Sequence, residues 1–565
     1  MGSEVRAVCG VNHWTRCIIY AVLPPRDHDM RIVPPRPRSI AAFLPLVLFA
    51  AQPLLAQGRR QRGAPEASAA DRAPAAAAND STRPGRDTAN FRVVEQPAVV
   101  THHEMTLGGQ TIRYTAYTGM MPIRNAQTGV TEGHIFYVYY AKDGANPATR
   151  PISFFFNGGP GSATLWLHMG AFGPRVVKLN PDGRNAPPPY SYADNPNTLL
   201  DQTDLVFLDP VGTGYSRASK PEYGKNFWGV DEDVKSVGEF MRLFLVKYQR
   251  WGSPKFIGGE SYGTTRAAHL SGWLVDNGIA LNGVVLISSM ALQIESPDER
   301  LVGFFPSYAA ISWYHKKLPA DLQALPLRQV VAEAQQFAEN QYLLALRKGN
   351  RLSAAERQQT IDQIARFTGL SKTFIGANDL RIDLSRYDHE LLRDQELQVG
   401  RLDGRFTGHA EDPGSDRNDF DPSEASIRNS FTPVLNEYVQ RELNYQNDDI
   451  YYVLGGGIGP WNTPPRLEVR TSLERAFNKN PDMRLYVAMG YYDTACPFGN
   501  ITNTLAHLRI DPAVARANIS VDHFEAGHMM YIDGPSMKQL RADLRNFIDV
   551  ATRRPATALT LLNGR

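Results

Sequence analysis

The feature that most constrains the fold is a serine between two glycines at the junction of a strand and a helix. PKFIG (Pro254–Gly258) reads as a strand, and TTRAAHLSGWLVDNG (Thr264–Gly278) has helical spacing. Between them stands Gly259-Glu260-Ser261-Tyr262-Gly263. The spacing G-x-S-x-G in this setting predicts a nucleophile elbow, in which the glycines permit a tight turn that holds the serine on strained backbone at the edge of a sheet. A glycine-rich turn without chemistry is the competing reading, and the strand before and helix after decide against it.

Short β-type runs recur on both sides of that turn: Thr111–Tyr117, His134–Tyr140, Ile152–Phe156, Leu205–Leu208, Lys255–Ile257, Val284–Ile287 and Leu485–Met489. Segments with helical spacing separate them, which predicts an α/β fold with a mostly parallel sheet covered on both faces. The texture changes between 296 and 466. Leu322–Leu346, Ala354–Phe367 and Thr432–Leu443 have helical periodicity with almost no strand signal, interrupted by the polar stretch Glu411–Ser423. These residues read as one largely helical cap inserted in the core, which occupies 91–295 and 467–555; residues 556–565 form a tail.

The N-terminal part reads as processing sequence. Ile40–Ala51 is uncharged and apolar, Arg31, Arg36 and Arg38 precede it, and Leu54-Leu55-Ala56 follows. That is the layout of a secretory signal over 30–56; a membrane span needs about 20 apolar residues. Residues 1–29 then read as an extension from a misassigned start, and 57–90, rich in Ala, Pro, Arg and Asp, as a linker without apolar periodicity. The expectation is a secreted or periplasmic protein with no stable membrane span after processing.

Composition narrows the function. With 60 basic and 58 acidic side chains the net charge is +2, which provides no general drive toward nucleic acid. Of three cysteines, Cys9 and Cys17 precede the signal, so the processed chain keeps only Cys496. An internal disulfide and a paired-cysteine zinc site are thereby excluded.

A serine hydroxyl needs a base. Beyond the strand Leu485–Met489 come Gly490-Tyr491-Tyr492-Asp493 and then Glu525-Ala526-Gly527-His528-Met529, in the order serine, acid, histidine. Asp493 would orient the imidazole and His528 would accept the Ser261 proton. His507 and His523 are the competitors, placed by their surroundings on a helix surface and a strand. The turn Asn157-Gly158-Gly159-Pro160-Gly161 after ISFFF nominates the Gly159 and Tyr262 amides as oxyanion donors. No Lys-Ser or Lys-Thr follows these glycines, so a phosphate loop is not expected.

Taken together, FFFNGGPGSA (Phe154–Ala163), DPVGTGYS (Asp209–Ser216), GGESYG (Gly258–Gly263), GYYDTACP (Gly490–Pro497) and EAGHM (Glu525–Met529) resemble the serine carboxypeptidase family in content and order. The resemblance implies an α/β-hydrolase that removes single residues from peptides with a free C-terminus and uses no cofactor or metal. It further implies that Asn157 and Glu260 bind the substrate carboxylate, Glu260 as a neutral donor, because two carboxylates cannot approach while both are ionised. Two departures stand out. Ser162-Ala163 replaces the family's Cys-Ser, in keeping with a disulfide-free member, and the Gly170–Pro174 turn lacks the acid many members carry, which predicts a reduced carboxylate network. Cys496, three residues beyond Asp493, reads either as an inert buried thiol or as part of the pocket wall.

Other clusters promise less. His102-His103-Glu104 reads as a surface hairpin, since adjacent strand residues face opposite ways. Asp416, Asn418, Asp419 and Asp421 lack calcium-loop spacing and read as a solvated loop. Gly455–Gly459, ended by Pro460, reads as a junction between cap and core. An esterase or acyltransferase of the same fold, and a catalytically silent binding protein, are the alternative functions.

Overall fold

The long apolar runs become a single large sheet. In the computed structural model the described residues are 96–293, 295–464 and 468–553. The expected extension (1–29), signal (30–56), linker (57–90) and tail (556–565), with Cys9 and Cys17, lie outside them.

The principal strands are β1 (Val99–Leu107), β2 (Gln110–Arg124), β3 (Thr131–Lys142), β4 (Ile152–Phe156), β5 (Asp204–Asp209), β6 (Lys255–Ser261), β7 (Gly283–Ser289), β8 (Arg484–Gly490) and β9 (Ile519–Phe524). Their spatial order is β1-β2-β3-β5-β4-β6-β7-β8-β9. β1, β2, β3 and β5 pair antiparallel, whereas β5, β4, β6, β7, β8 and β9 run parallel. The fold is that of an α/β-hydrolase, a mostly parallel sheet with helices on both faces.

β4 shows why the sequence does this. All five of its side chains are buried, and the pleat sends them to opposite layers. Phe154 and Phe156 join Phe240 and Phe244 of α1 (Val230–Lys247) and Ala267 and Leu270 of α2 (Tyr262–Asp276) in one core. Phe155 joins Phe207 and the Leu540, Leu544 and Phe547 side of the helix Gly534–Thr552 in the other. Six adjoining parallel strands thus end their carboxyl edges together, where ligands of open α/β sheets bind.

The sequence runs had understated two edge strands. β1 presents alternating exposure, and β9 interrupts Ile519, Val521 and Phe524 with polar residues and buries only Phe524, so neither shows a continuous apolar run. Between β7 and β8 the chain is largely helical, including Pro297–Tyr314, Leu327–Phe337, Ala354–Thr368 and Pro422–Arg441. The last of these begins well before Thr432, because the Asp421 side chain accepts from the amides of Ser423 and Glu424 and starts the helix there. A small ribbon, Leu397–Val399 with Thr407–His409, also lies in this region, its strands too short to show alternation. Among the described residues no helix is long and apolar enough to cross a membrane.

Candidate active site

β6 ends at Ser261, and α2 begins with Tyr262. Ser261 has φ 59° and ψ −128°, a strained conformation for a residue with a side chain. The turn is so tight that a Cβ on Gly259 would lie 2.0 Å from the Gly263 carbonyl oxygen. These glycines are what allow strand and helix to meet while the serine remains partly accessible at the sheet's carboxyl edge.

Asp493 follows β8 and is fully buried. Its Oδ1 accepts from the amides of Ala495 (2.8 Å) and Cys496 (2.9 Å), which fixes the carboxylate from its own loop. Its Oδ2 accepts from His528 Nδ1 at 2.8 Å. The Ser288 hydroxyl donates to the His528 carbonyl at 2.6 Å, so the histidine loop is also tied to the end of β7. Burial alone would depress the imidazole, but the Asp493 charge and hydrogen bond, helped by Cys496, hold its pKa well above the ordinary value.

With Nδ1 on Asp493, the other ring nitrogen faces the nucleophile side, where Glu260 Oε1 lies 3.9 Å from Nε2. Among the described residues no hydrogen bond joins Ser261 to His528. The side-chain partner of Ser261 Oγ is Cys496 Sγ at 3.8 Å. Catalytic hydrogen bonds are often long or misaligned until substrate binds. Cys496 is buried and free, and its sulfur lies against Ser261. One oxygen of Asp493, the Cys496 sulfur and one His528 nitrogen lie within 4.8 Å of one another, the one group of possible metal donors found among the described residues.

The Asn157–Gly161 turn lies directly against the elbow. A Cβ on Gly158 would be 2.4 Å from the Tyr262 nitrogen and 2.6 Å from the Gly263 nitrogen. Only glycine permits that approach at position 158, and it sets the turn directly against the start of α2. Arg266 locks the turn: it donates to the Asn157 carbonyl at 2.6 Å and pairs with buried Asp233 of α1 at 2.7 Å.

Glu260 is buried, and burial pushes its carboxyl up to about 7, against the lowering influence of His528 and of hydrogen bonds from Tyr531 and Asn157. Tyr531 Oη donates to Glu260 Oε2 at 2.7 Å. Sequence reasoning missed Tyr531, although it stands three residues beyond His528; in HMMYI it looks like one more core aromatic. The Gly170–Pro174 turn contributes no carboxylate, and the group around Glu260 is completed by this phenol.

The competitors lie elsewhere. His507 ends a helix with Nδ1 on the Asn503 carbonyl, and His523, on β9, stacks on Tyr491 and meets Phe498 edge to face. His102, on β1, bonds Thr115, whereas His103 stacks on Tyr114. Asp419 and Asp421 accept from backbone amides of their own region. Gly455 donates to the Gly161 carbonyl at 2.9 Å, so the 455–459 glycines pack on the Asn157–Gly161 turn.

Residues 108–295 match the family model described as serine carboxypeptidase. Over that segment the chain is similar to the serine carboxypeptidase family. The segment includes Asn157, Gly159, Glu260, Ser261 and Tyr262; Asp493 and His528 lie beyond it. Serine carboxypeptidase-like 5 of Arabidopsis thaliana is 30% identical over 133 residues, which cover 23% of this chain and 29% of that protein. Serine carboxypeptidase-like 36 of the same plant is 27% identical over 242 residues, 40% of this chain and 46% of that protein. The chain thus spans less than half the length of these curated relatives. Among solved structures, a Mycobacterium smegmatis proline iminopeptidase aligns over 80% of this chain and 99% of its own, with a TM-score of 0.30 and 14% identity. A carboxyl esterase from Bacillus coagulans aligns over 80% and 99% with a TM-score of 0.31 and 11% identity. Likeness at that level leaves the fold to be read from the sheet itself.

Proposed function

We propose that the chain is a serine-type carboxypeptidase that hydrolyses the C-terminal peptide bond of peptides through an acyl-enzyme on Ser261. The observation that carries this reading is the buried Glu260 carboxyl beside Ser261 and His528, held by Tyr531 and Asn157. A neutral carboxylic acid there can donate to a substrate's terminal carboxylate, which an ionised one would repel. An esterase has no need of such a group.

In the proposed reaction Ser261 Oγ attacks the last peptide carbonyl while His528 takes its proton, and Asp493 stabilises the imidazolium. The Gly159 and Tyr262 amides receive the developing oxyanion, an interaction worth about 2.7–4 kcal/mol per donor. Collapse breaks the C–N bond, and His528 returns the proton to the departing amino acid. Water, deprotonated by His528, then attacks the acyl-enzyme; the second collapse frees the shortened peptide and reprotonates Ser261. No cofactor or metal is assigned a role. Residues 296–466 are assigned as the cap, the flanking segments 91–295 and 467–555 as the core, and residues 30–56 as the signal that directs the protein to the periplasm or outside the cell.

A fluorophosphonate should label wild type and not Ser261→Ala, and peptides with free C-termini should be shortened while their amidated counterparts persist. Equal hydrolysis of both would favour the esterase or acyltransferase; no labelling would leave a silent binding protein.

A further inference from the structure

Residues 400–405, which follow the strand Leu397–Val399, lie between the two loops that bear Asp493 and His528. The Arg401 carbonyl accepts from the amides of Thr494 and Ala495 (3.1 Å each) and from the Thr494 hydroxyl at 3.0 Å. The next carbonyl, of Leu402, accepts from the His528 amide at 2.6 Å, and the Gly404 amide donates to the Tyr492 carbonyl at 2.9 Å. Consecutive peptide groups of one segment therefore hold both the acid loop and the base loop.

Side chains complete the arrangement on the histidine side. Asp403, buried, accepts from the Gly527 amide at 3.1 Å through Oδ2. Arg405 donates to Asp403 through Nε (3.0 Å) and a terminal nitrogen (2.7 Å). Its other terminal nitrogen reaches the Glu525 carbonyl at 3.0 Å and Asp533 Oδ2 at 3.2 Å. The guanidinium also lies 5.1 Å from the ring centre of Tyr492, on the acid loop. The segment is itself moored to the first turn of the helix Pro422–Arg441: the Arg401 amide donates to Asp421 Oδ1 (3.1 Å) and the Leu402 amide to Ser423 Oγ (3.0 Å).

We propose that Asp403 and Arg405 are positioning residues that set the register between Asp493 and His528, so that the helical insertion, and not the sheet alone, fixes the proposed acid–base pair. The inference rests on the triad reading above. Neither side chain hydrogen-bonds Ser261 or the imidazole; both act through the backbone of the Glu525–His528 loop. A planar guanidinium is required because one group must serve Asp403, Asp533 and a carbonyl at once, a task a lysine ammonium meets only in part.

The test measures the second-order rate of fluorophosphonate labelling against pH for wild type, Ser261→Ala, Asp403→Asn, Arg405→Gln and Arg405→Lys, with thermal unfolding of each. In the folded Asp403→Asn and Arg405→Gln proteins the rate per labelled molecule should fall by about tenfold or more, the effect of misplacing a reacting group by a fraction of an ångström. The acid limb should move to lower pH, because an imidazole less well paired with Asp493 loses the influence that raises its pKa; Cys496 and Glu260, which also face it, are unchanged in these variants. Arg405→Lys should recover part of the rate and part of the limb. A purely structural role would lower the melting temperature and the labelled fraction but leave the limb in place, and that result overturns the inference. So does a wild-type rate in either folded variant. Should Arg405→Gln not fold, Asp403→Asn and Arg405→Lys decide by the same criteria. Wild type that fails to label would instead defeat the triad reading, and the inference with it.

Discussion

Two arginine–aspartate pairs, one buried and one partly buried, brace the candidate site, and they differ in origin. Arg266 and Asp233 lie on α2 and α1, helices packed on the sheet beside the nucleophile. Arg405 and Asp403 come from the largely helical stretch between β7 and β8 and reach across to the loops after β8 and β9. On the nucleophile side, position follows from backbone contact, with glycines in the elbow and in the Asn157–Gly161 turn almost touching. On the acid–base side, position follows from hydrogen bonds spanning 88 to 128 residues. The first kind of support should fail abruptly when one methyl group is added; the second should weaken in steps.

The largest effect tests whether both sides serve one reaction. Ser261→Ala and His528→Ala should each lower kcat by about 10⁶, and the double mutant should be scarcely worse, because triad members act as a unit. Asp493→Asn should cost about 10⁴. A Ser261→Ala enzyme that retains even a tenth of wild-type activity, or a lethal His523→Ala beside an active His528→Ala, would separate the two sides and refute the triad.

Next comes the abrupt mode of failure. In Gly158→Ala the new methyl would meet the Tyr262 nitrogen at 2.4 Å and the Glu260 carbonyl oxygen at 2.6 Å. The turn must retreat, moving Gly159 relative to Tyr262. kcat should fall about 10²–10³-fold, as for loss of an oxyanion donor, and overpacking should cost about 1–3 kcal/mol of stability. Steady-state kinetics with urea unfolding would check both; unchanged kcat would mean that Gly159 is no donor.

The same contrast explains what could be read in the sequence. β3, β4 and β7 announce themselves because strands buried on both faces need unbroken apolar runs. The elbow is legible because its constraints are local: five consecutive residues with a strand directly before them and a helix directly after. β9 is an edge strand with only one buried residue and shows no such run. Tyr531 has the composition of core, and only its hydroxyl on Glu260 gives it another role. Asp403 and Arg405 sit in a short polar connection, and their partners at Gly527, Glu525 and Asp533 are more than a hundred residues away, beyond the reach of any local pattern.

A smaller effect concerns Glu260, which touches both sides through Asn157, Tyr531 and His528. Its carboxyl is raised by burial to about 7, so it is mostly neutral below that pH and ionised above it. As pH climbs through about 7, KM for free-acid peptides should rise, while ester substrates without a terminal carboxylate should show no such rise. Glu260→Gln keeps a donor that cannot ionise and should flatten the alkaline loss for peptides. Superimposable peptide and ester profiles in wild type would count against a neutral Glu260.

The smallest effect on turnover is expected at Cys496, where the two sides meet. Its amide holds Asp493 Oδ1, and its sulfur lies 3.8 Å from Ser261 Oγ. The backbone contact survives any side-chain replacement, and the reaction already has its nucleophile, so Cys496→Ser should remain active. A mercurial bonded to this sulfur would stand where Ser261 must move toward His528 and would block turnover by obstruction. A substrate analogue occupying the cleft should protect, and Cys496→Ser should resist the reagent altogether. Because Cys496 is buried, modification should be slow in the resting enzyme and faster where the two sides are loosened, as in Asp403→Asn. Stoichiometric mercury on native enzyme with full activity would show that the sulfur does not border the path between nucleophile and base. Equal rates of modification in wild type and Asp403→Asn would show that the segment from the insertion does not control how tightly that path is closed.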